Sequence, residues 1–283
     1  MTNRKDTNPF YNSSIPAHWT APEFGEVFSF LKTFSFSREQ LSDEKTADEI
    51  QNIHYGDIHS TFDNEILDLE IEKRVPYIKD GLLNKEEIED ENFPLLKEGD
   101  LVIADASEDH NGIAECVELQ NICDRKVVGG LHTFVARDKT ISSGFRTYVL
   151  KHPQVVRELR RIATGFSVFG ISKTNLVRIK LPLPPYNEQY LIANLLHLMD
   201  TTINRNNQLI CKKELQRKWL GCQLLSGKVR VKKFVKSNQF HRTGLGELPV
   251  DWKLNSIEEI LTPVRKAFIP NRNELYQEIG IRS

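Results

Sequence analysis

Residues 181–227 read LPLPPYNEQYLIANLLHLMDTTINRNNQLICKKELQRKWLGCQLLSG, and this stretch decides the fold. Pro182, Pro184 and Pro185 hold the chain extended, because a proline disfavours helix at the residue before it. From Tyr186 to Leu220 there is then neither Pro nor Gly. Asn187 reads as an N-cap, with Glu188 in the first turn, where the helix dipole favours a carboxylate. Ile192, Leu196, Met199, Ile203 and Ile210 recur at heptad spacing, and Asn206 takes the seam position between the last two. One polar seam residue fixes register at some cost in stability. The seam drifts to Leu215, Trp219 and Cys222, and Gly227 is a helix stop. The pattern predicts one helix over 186–227, about 60 Å long at ~1.5 Å per residue. That exceeds the diameter of a domain of this size, so the helix must project and needs a partner.

The 283 residues, 39% hydrophobic and 27% charged, suit one or two soluble globular domains. No apolar run approaches the ~18 residues of a membrane span. The start, MTNRKDTNPFYNSS, lacks the apolar core of a secretory signal, so the expected location is cytoplasmic. Neither Cys116 and Cys123 nor Cys211 and Cys222 have metal-knuckle spacing, and isolated reduced thiols are expected. The net charge of −1 hides an asymmetry. Residues 1–150 carry 15 basic and 29 acidic side chains, and residues 151–283 carry 23 and 10. A basic half suits nucleic acid, although basic residues also solvate a long helix.

Ahead of the proline segment, alternating runs predict strands at 27–36, 75–79, 100–106, 112–119 and 132–137. Residues 149–163 predict a helix interrupted or started by Pro153, and 164–185 reads as mostly strand. The expected organisation is a disordered leader over 1–14 and a mixed α+β domain over 15–185. The long helix over 186–227 and a basic extended linker over 228–247 follow. The chain then repeats itself: Ile15-Pro16-Ala17-His18-Trp19 matches Leu248-Pro249-Val250-Asp251-Trp252 at an offset of 233. FGEVF (24–28) matches IEEIL (257–261) at the same offset. This implies a duplicated unit, with 248–283 the start of a second, incomplete copy.

These features resemble the specificity subunit of type I restriction–modification systems. The resemblance rests on Leu181 to Gln189, then Leu191-Ile192-Ala193, Asp200 and Ile203, then Leu224 to Val231 (LLSGKVRV). It extends to GELPVDW (246–252) and to Gly165-Phe166-Ser167 with Ile171-Ser172 and Leu176. It covers most of residues 15–283, and its specificity lies in the combination rather than in any one motif. The resemblance implies two target recognition domains, each followed by a long spacer helix, the two helices packing antiparallel. It also implies a non-catalytic subunit that reads a bipartite double-stranded DNA sequence and docks DNA methyltransferase subunits, to which translocase–nuclease subunits add. S-adenosylmethionine, ATP and magnesium would belong to those partners. This chain has one complete domain and one complete helix, so it looks truncated. Self-association through the helix, an inactive remnant, and a coiled-coil scaffold without DNA specificity are the alternatives.

An enzyme would need motifs of its own. There is no GxxxxGK(S/T) loop, and Gly244-Leu245-Gly246 falls in the linker. Asn8-Pro9-Phe10-Tyr11 only superficially matches a methyltransferase loop, and Asp251-Trp252-Lys253 lacks a nuclease's upstream acid. The acidic run Asp105, Glu108, Asp109, His110 reads as a turn between strands, and no metal site or catalytic residue is expected.

For reading base edges, side-chain donors and acceptors on loops are required. The first expected set is Gly129-Gly130-Leu131-His132-Thr133 with Arg137, the glycines admitting close backbone approach. The second is Ser107 to Asn111, with Asn111 a candidate for adenine. The third is Ser167, Ser172, Lys173, Thr174 and Asn175. Lys151, Arg157, Arg160 and Arg161 form a basic helix face for phosphates. Ile192, Leu196, Met199, Ile203, Asn206 and Ile210 are the expected partner seam. Ordinary turns, solvated faces and packing against the chain's own domain are the competing readings.

Overall fold

The computed structural model describes residues 7–109, 112–138, 140–263 and 275. The chain divides into two compact units, Met1–Gln208 and Leu209–Ser283, with the boundary inside the long helix.

The first unit is built on a five-stranded sheet in the order Ser29–Leu31, Thr133–Arg137, Leu101–Ala104, Cys116–Gln120, Ile66–Asp68. The last pair is parallel and the others antiparallel. Both faces are covered, which explains why Leu101–Ala104 reads as an unbroken apolar run. Side chains alternate across the pleat. Leu101, Ile103, Cys116 and Ala136 join a core with Phe145, Val149, Val155 and Leu159 from two helices. Val102, Ala104, Val117, Leu119 and Val135 face a second core with Ile53 and Val127. Burial pushes the Cys116 thiol up to about 12. A smaller sheet runs Lys126–Gly129, Ile50–Ile53, Tyr77–Ile78, Leu41–Ser42.

Helix Phe145–Leu150 is anchored by a buried ionic cluster. Glu118 accepts from the amides of Gly144 (2.6 Å) and Arg146 (3.1 Å), at the helix start where orphan N–H groups need acceptors. Arg146 Nη1 lies 2.8 Å from Glu118 Oε1, its Nε engages Asp138, and its Nη2 donates to the Ile141 carbonyl (2.9 Å).

The long helix spans Tyr186–Leu225, close to the predicted range. Its first turn differs in detail: the Pro185 carbonyl accepts from Glu188 and Gln189, so Asn187 lies inside the helix rather than capping it. Buried Gln189 accepts from the Ser142 amide (2.9 Å) and donates to the Pro184 carbonyl (2.8 Å). At the far end Gly227 adopts φ +71°, the left-handed stop expected of a glycine there.

Three expectations are corrected. The leader is ordered from Thr7: Thr7–Phe10 and Ser13–Pro16 form an antiparallel hairpin, held because Phe10 is buried in the main core. Residues 1–6 lie outside the described residues. Only Phe169–Gly170 of the 164–185 segment is a strand, and Ser172 caps a short helix, Lys173–Leu176. The segment around 228–247 is not an extended linker, because it folds around one ion pair. Arg230 meets Asp251 through two bonds (2.9 and 2.7 Å) and donates to the Ser237 carbonyl (3.1 Å).

The repeat is longer than its motif. Hairpin Phe240–Thr243/Gly246–Pro249 has the register of the first hairpin, each residue displaced by 233. Helix Ile257–Ile260 stands 233 residues after Phe24–Val27. The tryptophan amides match too: Trp19 N donates to Pro16 O and Trp252 N to Pro249 O, both at 3.0 Å.

Candidate nucleic-acid interface

Three segments distant in sequence meet at Asp105–Ser107. The Asp105 amide donates to the His132 carbonyl (3.0 Å), and its own carbonyl accepts from Ile171 (2.8 Å). Ala106 and Ser107 pair with Gly170 and Phe169. The three loop sets chosen from sequence, at 129–133, 107–111 (described as far as Asp109) and 167–175, thus contribute neighbouring segments around one short strand. Asn111 lies outside the described residues.

Within that assembly the side chains divide. His132 is exposed, in the left-handed region (φ 52°), with Nδ1 3.1 Å from Asp105 Oδ1 and its ring edge-on to Tyr55. Burial raises the Asp105 carboxyl above its ordinary value. Thr133, expected as an exposed donor, is buried and donates to the Gly130 carbonyl at 2.7 Å. Arg137 is also committed internally, its guanidinium 2.6 and 2.7 Å from the Asp100 carboxylate. A buried carboxylate needs such a partner, which sequence spacing could not reveal. The glycines likewise serve packing: a Cβ at Gly130 would strike Asn52 and the Ile53 backbone, and one at Gly129 would strike Val135.

Sequence reasoning missed His59. Its Nδ1 lies 2.6 Å from Glu115 Oε2 and its Nε2 3.0 Å from the Ala106 carbonyl. Both neighbours are acceptors only, so the ring satisfies both as an imidazolium, and the Glu115 bond raises its pKa. His59, Tyr55, Ser107 and Gly112 line a cavity of about 410 Å³. His54, Tyr55 and His59 fall within six residues, a cluster visible in the sequence that no spacing rule singled out. Among the described residues no group of three His, Cys, Asp or Glu is placed to hold a metal ion.

The third set is the most open. Ser167 is exposed in the turn between Thr164 and Gly170. Lys173 is exposed, with its ammonium 4.3 Å from the Phe30 ring centroid. Asn175 is half-buried, and its amide is capped by Ser172. Of the basic face, Lys151 engages Glu65, and Arg161 pairs with Glu158 at 2.7 Å. Arg157 is exposed beside the Asn12 amide, and Arg160 is half-buried.

The helix seam is split between two surroundings. Ala193 is buried and Ile192 and Leu196 are half-buried on the domain side. Further along that side, Asp200 accepts from Tyr148 OH (2.7 Å) and Asn204 donates to the Asp63 carbonyl (3.2 Å). Ile192 and Leu196 line a cavity of about 400 Å³ with Trp19, Phe145 and Tyr148. Met199, Ile203, Asn206 and Ile210 are exposed, as are Leu191, Leu195, Leu198 and Leu209. The expected seam therefore needs correction at its start: Ile192 and Leu196 pack on the chain's own domain, because a helix held there by Gln189 turns those positions inward. Among the described residues no helix is long and apolar enough to cross a membrane.

A mixed sheet domain leads into a long helix, and several of its loops meet just past the end of the central strand, Leu101–Ala104. The chain belongs to the type I restriction modification DNA specificity domain family, whose profile matches residues 16–214. It is similar to the specificity subunit of type I restriction enzyme MjaVIII from Methanocaldococcus jannaschii, at 26% identity over 223 residues. That match takes in 77% of this chain and 48% of the relative, so the chain spans about half the relative's length. A solved chain from a type I R-M system matches with TM-score 0.50 and 17% identity, over 75% of this chain and 46% of that one. The HsdS subunit from Thermoanaerobacter tengcongensis matches more weakly, at TM-score 0.46 and 16% identity over 72% and 43%. These structural likenesses concern the fold alone.

Proposed function

We propose that this chain is a non-catalytic DNA-recognition subunit that reads one half of a bipartite target and docks methyltransferase subunits. The supporting observation is the meeting of the 105–107, 130–132 and 164–171 segments just past the end of the central strand, ahead of a helix with an exposed apolar stripe. Base reading falls to His132, Ser167 and neighbouring loop groups. Arg157, Arg160 and Arg161 add affinity for phosphates that depends on salt. Thr133 and Arg137 position the loop rather than touch DNA. The exposed stripe through Leu195, Met199 and Ile203 takes a second helix, from another copy or from a partner subunit. S-adenosylmethionine, ATP and magnesium belong to the partners, as do methylation and translocation.

The test is enrichment of random duplex DNA by the full chain with its methyltransferase partner. A recovered motif supports the reading, and recovery of unselected sequence overturns it. A scaffold without DNA specificity predicts the second result.

A further inference from the structure

We propose that the turn between Thr164 and Gly170 is a wedge that places Phe166 against the stacked bases of bound DNA. This deepens the DNA-recognition reading and rests on it. The first observation is exposure: Phe166 is 101% exposed and Val168 52%, with exposed Ser167 between them. Such a ring loses contact with water when it finds an apolar surface, and among the described residues no part of its own domain provides one.

The second observation is that the display is built. Thr164 and Gly170 exchange both amide-to-carbonyl bonds, at 2.9 and 2.8 Å. Phe169 and Gly170 are tied to Ser107 and Ala106, where the candidate loops meet past the end of the central strand. Gly165 sits at φ +134°, where any Cβ would run into the Val168 carbonyl. Only glycine holds this corner, one residue before the exposed ring.

The third observation selects the occupant. Between Pro153 and Lys180 the chain carries six Lys and Arg and a single acid, Glu158. Glu158 is itself buried and paired with Arg161. An apolar tip on a cationic arm matches a duplex, where anionic rails flank a stack of apolar faces. An apolar protein groove fits the tip but leaves the cations without a counterpart. Ser167 adds a hydroxyl that can donate to a base edge or a phosphate.

The experiment uses the full chain and mixed-sequence duplexes enriched by it, with 2-aminopurine at successive positions. Wild-type binding raises 2-aminopurine fluorescence at one step, the signature of unstacking. Phe166→Ser weakens binding by about tenfold or more, the size of one lost stacking contact. It abolishes the fluorescence rise and leaves the salt slope unchanged. Phe166→Trp retains both signals. Gly165→Ala, which disturbs the corner without touching the ring, reproduces the loss in part. Because Phe166 is exposed, the melting temperature of Phe166→Ser matches wild type. Equal affinity and fluorescence for Phe166→Ser overturn the wedge and leave the recognition reading standing. Loss of methyltransferase binding without DNA assigns the tip to a protein interface and also overturns it. A wild-type chain that binds no duplex, alone or with its partner, overturns both readings.

Discussion

The indole Nε1 of Trp19 donates to Glu188 Oε2 across 3.2 Å, joining residues 169 apart in sequence at the first turn of the long helix. His18 Nε2 lies 3.0 Å from the same oxygen. One carboxylate thus ties the start of the domain to the start of its helix. A hydrogen bond to a charged group contributes about 1.5–3 kcal/mol. With Glu188 about two-fifths exposed, Glu188→Ala is expected to lose about 1 kcal/mol, discounted for solvent. Glu188→Gln, which keeps an acceptor, should lose less. Urea unfolding of the two variants checks the order, and equal losses would remove the hydrogen bond from the account.

Charge on the two sides of the helix should have opposite consequences. Ile203 is exposed and Leu196 half-buried against the domain. Ile203→Glu should leave unfolding stability within about 0.5 kcal/mol, as surface changes do, yet abolish self-association or methyltransferase assembly. Leu196→Glu should lower stability by more than about 2 kcal/mol through a buried charge. Analytical ultracentrifugation with and without the partner reads the first, and thermal melting the second. An unchanged assembly state for Ile203→Glu contradicts the stripe.

His59 predicts a pH dependence with a definite sign. Its folded pKa is raised above the ordinary 6.5 by the bond to Glu115. The stability it contributes is therefore fully present below about 6.5 and is lost as pH rises through the higher folded value. His54 and His152 are shifted down, chiefly by burial, so their contribution falls away instead as pH drops below about 6.5. Subtracting the stability curve of His59→Gln from that of wild type isolates the first effect. A difference that grows with pH would refute it.

Arg146 neutralises two buried carboxylates, Glu118 and Asp138. Burial alone pushes the Glu118 carboxyl up, and the guanidinium beside it works against that. Arg146→Met leaves both acids without their partner and should destabilise the domain by about 3–5 kcal/mol. A loss under about 1 kcal/mol in urea unfolding would mean that the amide donors of Gly144 and Arg146 suffice for Glu118.

The long helix was legible because nothing between Tyr186 and Leu220 interrupts it and its apolar spacing is periodic. The strand at Leu101–Ala104 was legible as a short apolar run inside 100–106, although it was read as alternating and is in fact buried throughout. Ile50–Ile53 was not, since Gln51 and Asn52 look like surface. Gln51 is buried, donating to the Val75 carbonyl at 2.7 Å and accepting from Arg125 at 2.6 Å. The leader was missed because Phe10 is buried against residues far along the chain, which local composition does not show. Loop candidates could be chosen by composition, and three sets do meet. Which side chains stay available depended on partners far along the chain, such as Asp100 for Arg137. The split of the helix seam depended on Gln189, whose two amide bonds set the rotation of the first turns.

The equal hairpins at 7–16 and 240–249 carry a consequence of their own. Because the register and the following turn to tryptophan coincide, the stretch leaves by the same secondary structure through which it entered. Such a stretch behaves like a tile with matching edges. Copies can be chained head to tail, or the chain reopened elsewhere and rejoined at the hairpin, without inventing a new junction. Whatever lies between the two edges is then free to vary, while the seams stay the same.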